Sequence, residues 1–97
     1  MFSKNKQEAY QTIVNCQKTI EFDLETNEIV KKLTKSISKL NPNVLKNGFN
    51  CRICKEERTE RGYYESDKQS VTICVNKLKE QKDTTEVLIH ELVHAYV

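Results

Sequence analysis

Near the C-terminal end of the chain, the run His90-Glu91-Leu92-Val93-His94 sets two imidazoles and a carboxylate within five residues. On a helix, residues four apart lie one above the other on the same face. Neutral imidazoles at that spacing are common zinc ligands, and a glutamate beside the first can act as general base toward water at the ion. The competing reading is two histidines on a solvated helix face, and the flanking residues argue against it. Leu88, Ile89, Leu92, Val93 and Tyr96 form an apolar stripe beside the histidines, so the helix is expected to pack on a core and leave the motif at its edge. Asp83, followed three residues later by Glu86, predicts a capping box that opens this helix.

The elements that must position the motif are those of one small domain of 97 residues. Hydrophobic residues make up 37% and charged residues 31%, enough for a modest core. A helical lead-in covers residues 5–41. Within it Tyr10, Ile13, Val14, Gln17 and Ile20, flanked by Cys16, predict a helix over residues 7–20. Ile29, Val30, Leu33, Ile37 and Leu40 predict a second, capped by Thr26 or Asn27 and stopped by Asn41-Pro42. Its lysines (Lys31, Lys32, Lys35, Lys39) read as a solvated outer face, because no aromatic residues interleave with them. Asn47-Gly48 marks a turn in the connector. Cysteine-bearing strands and a hairpin occupy residues 49–76: one strand over 49–53, a second at Gly62-Tyr63-Tyr64, and the clearest at Val71-Thr72-Ile73-Cys74-Val75, with residues 65–69 as the turn. A charged link over 77–82 then leads into the motif helix at 84–97. Two helices, a small antiparallel sheet and a final helix make the class α+β.

Composition excludes several functions. A net charge of +2 is too slight to argue for nucleic acid or an anionic membrane. No apolar run approaches the ~20 residues that span a bilayer, so any membrane contact is expected to be peripheral. The first residues show neither a signal-peptide core nor an Arg-rich transit pattern. Cys16, Cys51, Cys54 and Cys74 admit two readings. Cys51, Cys54 and Cys74 could join one histidine in a closed structural zinc ribbon, which leaves the other histidine without a role. Alternatively the four are disulfide partners stapling a domain too small to rest on its core alone, with Cys51 or Cys54 reaching Cys74 across the sheet. The second reading is favoured, and the pairing stays open among three possibilities.

Taken in order, Cys16, Cys51-Arg52-Ile53-Cys54, Gly62-Tyr63-Tyr64, Val71-Thr72-Ile73-Cys74-Val75-Asn76 and His90-Glu91-Leu92-Val93-His94-Ala95-Tyr96 resemble a known family. It is the family of mitochondrial inner-membrane zinc metalloproteases that process and help assemble an ATP synthase subunit, also called the Ku-binding metalloprotease family. The resemblance is specific from Phe49 onward and loose before it. It implies a small zincin-like domain fragment, Zn2+ as cofactor, His90 and His94 as its ligands and Glu91 as catalytic base. It also implies oxidised cysteines at 51, 54, 74 and 16, peripheral attachment to the inner membrane on its intermembrane-space side, and a role in assembling the membrane sector of ATP synthase apart from proteolysis. The substrate expected on this basis is a subunit of that sector. Val97 stands where the family continues with an aspartate, and no upstream carboxylate is compellingly placed as a third ligand. The chain is therefore expected to be part of a longer protease. By analogy with other proteases built on this helix motif, the strand at residues 71–75 would offer its edge to an extended substrate. Two other functions compete: a catalytically inactive assembly factor or chaperone, and a structural zinc-ribbon binding module.

Overall fold

The computed structural model describes residues 6–97; the N-terminal residues on which the absence of a leader was read lie outside them, as does residue 5 of the helical lead-in. Helix α1, Lys6–Thr26, runs past the expected end at Ile20. Its buried line is Cys16, Ile20 and Asp23, at helical spacing. Sequence reading stopped at Ile20 because Asp23 reads as polar. Asp23 is nonetheless buried, with its carboxylate accepting a hydrogen bond from the Thr85 hydroxyl at 2.6 Å, so the helix extends to make that contact.

Asn27 separates α1 from α2, Glu28–Leu40. Its side-chain oxygen accepts from the amides of Ile29 and Val30 at 3.0 and 3.1 Å, meeting two donors that the first turn leaves without helical partners. Removing that oxygen by Asn27→Ala is expected to cost about 1 kcal/mol, seen as a lower urea midpoint with an unchanged slope. Val30 and Ile37 enter the core, while Ile29 and Leu40 at the ends of the stripe stay exposed. The lysines of α2 face solvent.

The chain then turns through Gly48, whose φ of +72° is the left-handed conformation glycine adopts without cost. Strands β1 (Phe49–Arg52), β2 (Gly62–Glu65) and β3 (Ser70–Cys74) follow. They form one sheet in the order β1-β3-β2. The hairpin β2–β3 is antiparallel as expected, but β1 pairs parallel to β3, so the sheet is mixed. The reason is the path. Residues 53–61 reverse the chain into β2 and residues 66–69 reverse it again into β3, and two reversals leave β3 running with β1. A wholly antiparallel sheet would need β1 beside β2; β1 lies instead beside β3, two reversals further on, and so runs parallel to it.

Side chains alternate across this sheet. Cys51, Ile73 and Gly62 lie side by side in register and face the helices; Thr72 and Tyr63 share a row on the opposite face, with Arg52 beside Cys74. Two disulfides lock the layers. Cys16–Cys51 ties α1 to β1, and Cys54–Cys74 ties the loop after β1 to the end of β3. Asn76 reinforces the second: its side chain accepts from the Cys54 amide and donates to the Cys54 carbonyl, both at 2.9 Å. All four cysteines are consumed, so the zinc ribbon read from Cys51, Cys54 and Cys74 does not form. After a single 3-10 turn, Val75–Lys77, the chain enters α3, Asp83–Tyr96. The core gathers Cys16, Ile20, Val30, Ile37, Ile73, Val75, Leu78, Val87, Leu88 and Leu92. Among the described residues no helix is long and apolar enough to cross a membrane. The class is α+β.

Candidate metal centre

Helix α3 buries Thr84, Val87, Leu88, Glu91 and Leu92. The expected stripe is therefore rotated: Leu88 and Leu92 are inside, but Val93 and Tyr96 are each 45% exposed, and Val87 takes their place. Gly62 causes the rotation. A Cβ there would come within 2.7 Å of Val87 Cγ1, 3.0 Å of the Thr72 carbonyl oxygen and 3.3 Å of Glu91 Cγ. Only glycine lets β2 sit so close to the Val87 and Glu91 side of α3. Gly62→Ala is expected to cost about 1–3 kcal/mol as an overpacked contact and to push α3 away from β2. Equilibrium denaturation and amide chemical shifts along α3 would show both effects.

The helix does not open as expected. Asp83 lies inside its first turn and its carboxylate accepts from the Glu80 amide at 3.1 Å, while Glu86 pairs with Arg61 Nη2 at 2.7 Å. The capping box of Asp83 and Glu86 is thus replaced by two separate contacts. The second ties the start of β2 to α3.

At the exposed edge of the helix the Nε2 atoms of His90 and His94 stand 3.0 Å apart. Ligand atoms of His90, Glu91 and His94 all lie within 4.8 Å of one another, and no other such group exists among the described residues. Two nitrogens at this spacing can share one divalent ion at the ~2.0–2.1 Å typical of zinc–imidazole bonds. The donor set, two imidazoles with an adjacent carboxylate, suits zinc in type as well as in spacing. Glu91 is only 6% exposed. Burial holds its carboxyl above the ordinary range; the neighbouring His90 and His94 oppose that shift, and Glu60 adds to it. A carboxylate tuned upward is better suited to accept a proton near neutral pH.

A cleft of about 610 Å³ lies over these residues, with Thr59, Glu60, Arg61, Gly62, Tyr63 and Tyr64 on one wall and Val87, His90, Glu91 and His94 on the other. The strand at its rim is β2. The strand at residues 71–75, expected to offer an edge, instead has its regular part, β3, in the middle of the sheet with both sides paired. The Arg61 carbonyl accepts from the Cys74 amide at 2.8 Å, which fixes the antiparallel alternation. Gly62 and Tyr64 therefore turn their backbone N–H and C=O groups outward, toward the cleft. Tyr64 is held in place by its hydroxyl, which donates to the Val44 carbonyl at 3.1 Å. Sequence reading identified the motif residues but missed Glu60 and Arg61 as parts of the cleft, because nothing in their local pattern shows that the loop folds back over α3.

Comparison with known proteins bears on this geometry. The model of the peptidase M76 family matches residues 14–97. The chain is 28% identical over 81 residues to the mitochondrial inner membrane protease ATP23 of Coccidioides immitis, covering 84% of this chain and 33% of that protein. It is 28% identical over 87 residues to the protein of the same name from Sclerotinia sclerotiorum, covering 84% and 36%. It is 27% identical over 82 residues to the ATP23 homologue of Danio rerio, covering 84% and 32%. The chain thus spans about a third of the length of these relatives. No solved structure matches. With the family model aligned over the stretch that builds both the cleft and the paired histidines, the chain belongs to the peptidase M76 family.

Proposed function

We propose that this chain carries the catalytic helix of a zinc metalloendopeptidase, with His90 and His94 holding the ion and Glu91 acting as general base. The observation that carries the reading is the meeting of two imidazole nitrogens 3.0 Å apart with a buried carboxylate, under a cleft rimmed by a free strand edge. When bound, zinc would supply Lewis acidity toward the scissile carbonyl. The outward N–H and C=O groups of Gly62 and Tyr64 hold an extended peptide by strand addition. Glu91 takes a proton from the attacking water at its carboxylate and delivers it to the leaving amine.

The relatives' names support placing the protease at the mitochondrial inner membrane. Two disulfides suit an oxidising compartment, which favours the intermembrane-space side and peripheral attachment. The substrate we propose is a subunit of the membrane sector of ATP synthase, whose assembly the protein also assists. Zinc titration of the chain tests the centre. His94→Ala is expected to lower affinity by at least about 100-fold, the scale on which losing even a supporting contact weakens a zinc site; equal affinity in the two proteins would remove His94 from the centre.

A second reading has its own observation: two histidines and one glutamate are the whole of the ligating group among the described residues. It makes the protein an assembly factor without catalysis. Complementation separates the two. Function retained with Glu91 replaced, and lost with Cys51 or Cys74 replaced, would favour assembly.

A further inference from the structure

On the face of the sheet turned away from α1 and α3, positive charge collects around one tyrosine. Arg52 reaches across β3 from β1, and its Nη1 lies 3.4 Å from the Tyr63 hydroxyl. Arg58 stacks its guanidinium over the Tyr63 ring, 4.2 Å from the ring centre. Together with Cys54 and Lys55, these residues enclose a hollow of about 130 Å³ with no carboxylate in its lining. Arg58 has a partner in Glu60 at 3.3 Å, whereas neither Arg52 nor Lys55 pairs with any carboxylate among the described residues. Glu57 and Glu60 line a neighbouring hollow with Lys55 and Arg58, so the positive character is confined to the side facing Arg52.

This hollow adjoins the cleft, with Tyr63 lining both. A peptide added to the free edge of β2 continues the side-chain alternation of the sheet. Its residue opposite Gly62 is the one nearest Glu91. The adjoining residue, opposite Tyr63, turns its side chain to the other face, where Arg52, Lys55 and Arg58 stand. We propose that this hollow is a specificity subsite that selects an aspartate or glutamate at one position of the bound peptide, next to the residue at the catalytic helix. Two guanidinium groups and an ammonium around one concavity are matched by a carboxylate, and guanidinium–carboxylate bonds are among the stronger charge-assisted contacts. The proposal rests on the reading of β2 as the peptide-binding edge.

The test uses peptide pairs differing only by Asp or Asn at one position, moved along the sequence. Binding is measured by fluorescence anisotropy to the zinc-loaded Glu91→Gln chain, and cleavage by the protein as its gene encodes it. At a single position Asp is expected to bind about five- to tenfold more tightly than Asn, a preference that shrinks as salt rises. Arg52→Gln should bring the pair to near parity. Lys55→Glu, at an exposed side chain with no carboxylate partner among the described residues, should do the same, with circular dichroism to check that the fold is kept. Lys31→Gln with Lys35→Gln, on α2, should leave the preference intact. Equal binding and cleavage of Asp and Asn peptides at every position would overturn the subsite and leave the protease reading standing. Neither binding nor cleavage of any peptide would overturn both. A preference lost equally in the α2 variant would reduce it to general electrostatics, and so overturn it. Binding of phosphatidylserine vesicles that depends on Arg52 and Lys55, without peptide discrimination, would overturn it in favour of a membrane contact.

Discussion

Glu91→Gln in the zinc-loaded protein, as its gene encodes it, is expected to lower kcat for peptide cleavage by about 100- to 10,000-fold, the range lost when a general base is removed. Metal content should stay unchanged, because His90 and His94 remain. Glutamine keeps the shape of the side chain and its fit against Gly62 but cannot accept the proton. Unchanged turnover would take Glu91 out of the reaction. The same substitution has a second expected effect in the metal-free chain, opposite in sign. Burial raises the Glu91 carboxyl above its ordinary value of 4.5, so the folded state binds this proton more tightly than the unfolded state does. Stability contributed by the group is then lost as pH rises from the unfolded value through the folded one. Above that folded value the ionised carboxylate is a burden on the fold. Glu91→Gln is expected to raise the melting temperature there and to flatten the decline above pH 4.5 that the wild type shows. A residue that destabilises its own fold while serving the site is the pattern expected of a functional group.

Loss of the disulfides is the second large effect. Cys16–Cys51 closes a loop of 35 residues and Cys54–Cys74 one of 20. On the chain-entropy account each bond contributes about 3–4 kcal/mol. A domain of this size has a total stability on the order of 5–15 kcal/mol. Together the two bonds rival that total. Replacing Cys16 and Cys51 by Ala should lower stability by about 3–4 kcal/mol, and reduction of both bonds should abolish cooperative thermal unfolding. A reduced chain that melts as sharply as the oxidised one, followed by circular dichroism, would show that the core holds without them. The layers make that outcome hard to reach. Cys51 is the contact through which α1 is fastened to the sheet, and Cys74 fastens the loop that carries Glu60 and Arg61 into the cleft.

Much of this molecule is legible in its sequence because local signals agree with the tertiary structure. The periodicity of Val30 and Ile37, the Asn27 cap, the Asn47-Gly48 turn and the β-branched run at Val71 to Ile73 all act over a few residues, and each forms where its pattern places it. The features that escaped depend on chain path. Asp23 belongs to α1 because of Thr85, 62 residues away. β1 runs with β3 because of two intervening reversals. The orientation of α3 follows from the missing side chain at Gly62, which sequence alone records only as a residue in a strand. The cysteine pairing likewise waited for the layers, since either Cys51 or Cys54 lies close enough in sequence to have reached Cys74. At the site, the helix motif is readable because its geometry is contained in one turn. The opposite wall is not, because it is brought there by a loop.

The side-by-side run of β1 and β3 has a consequence for how the molecule is made. Those two strands cannot recognise one another until the intervening residues have reversed twice, whereas β2 and β3 need only their own short turn. Nonlocal pairing carries the greater loop-closure cost. The hairpin is therefore the natural nucleus, with β1 arriving later and bringing α1 with it. An oxidation machinery meeting this chain would find Cys74 placed by the nascent hairpin, but its partner Cys54 lies in the loop after β1 and Cys51 in β1 itself, so both bonds close only as the chain before β2 docks. The free edge of β2 thus takes shape before the disulfides seal the helical layer onto the sheet.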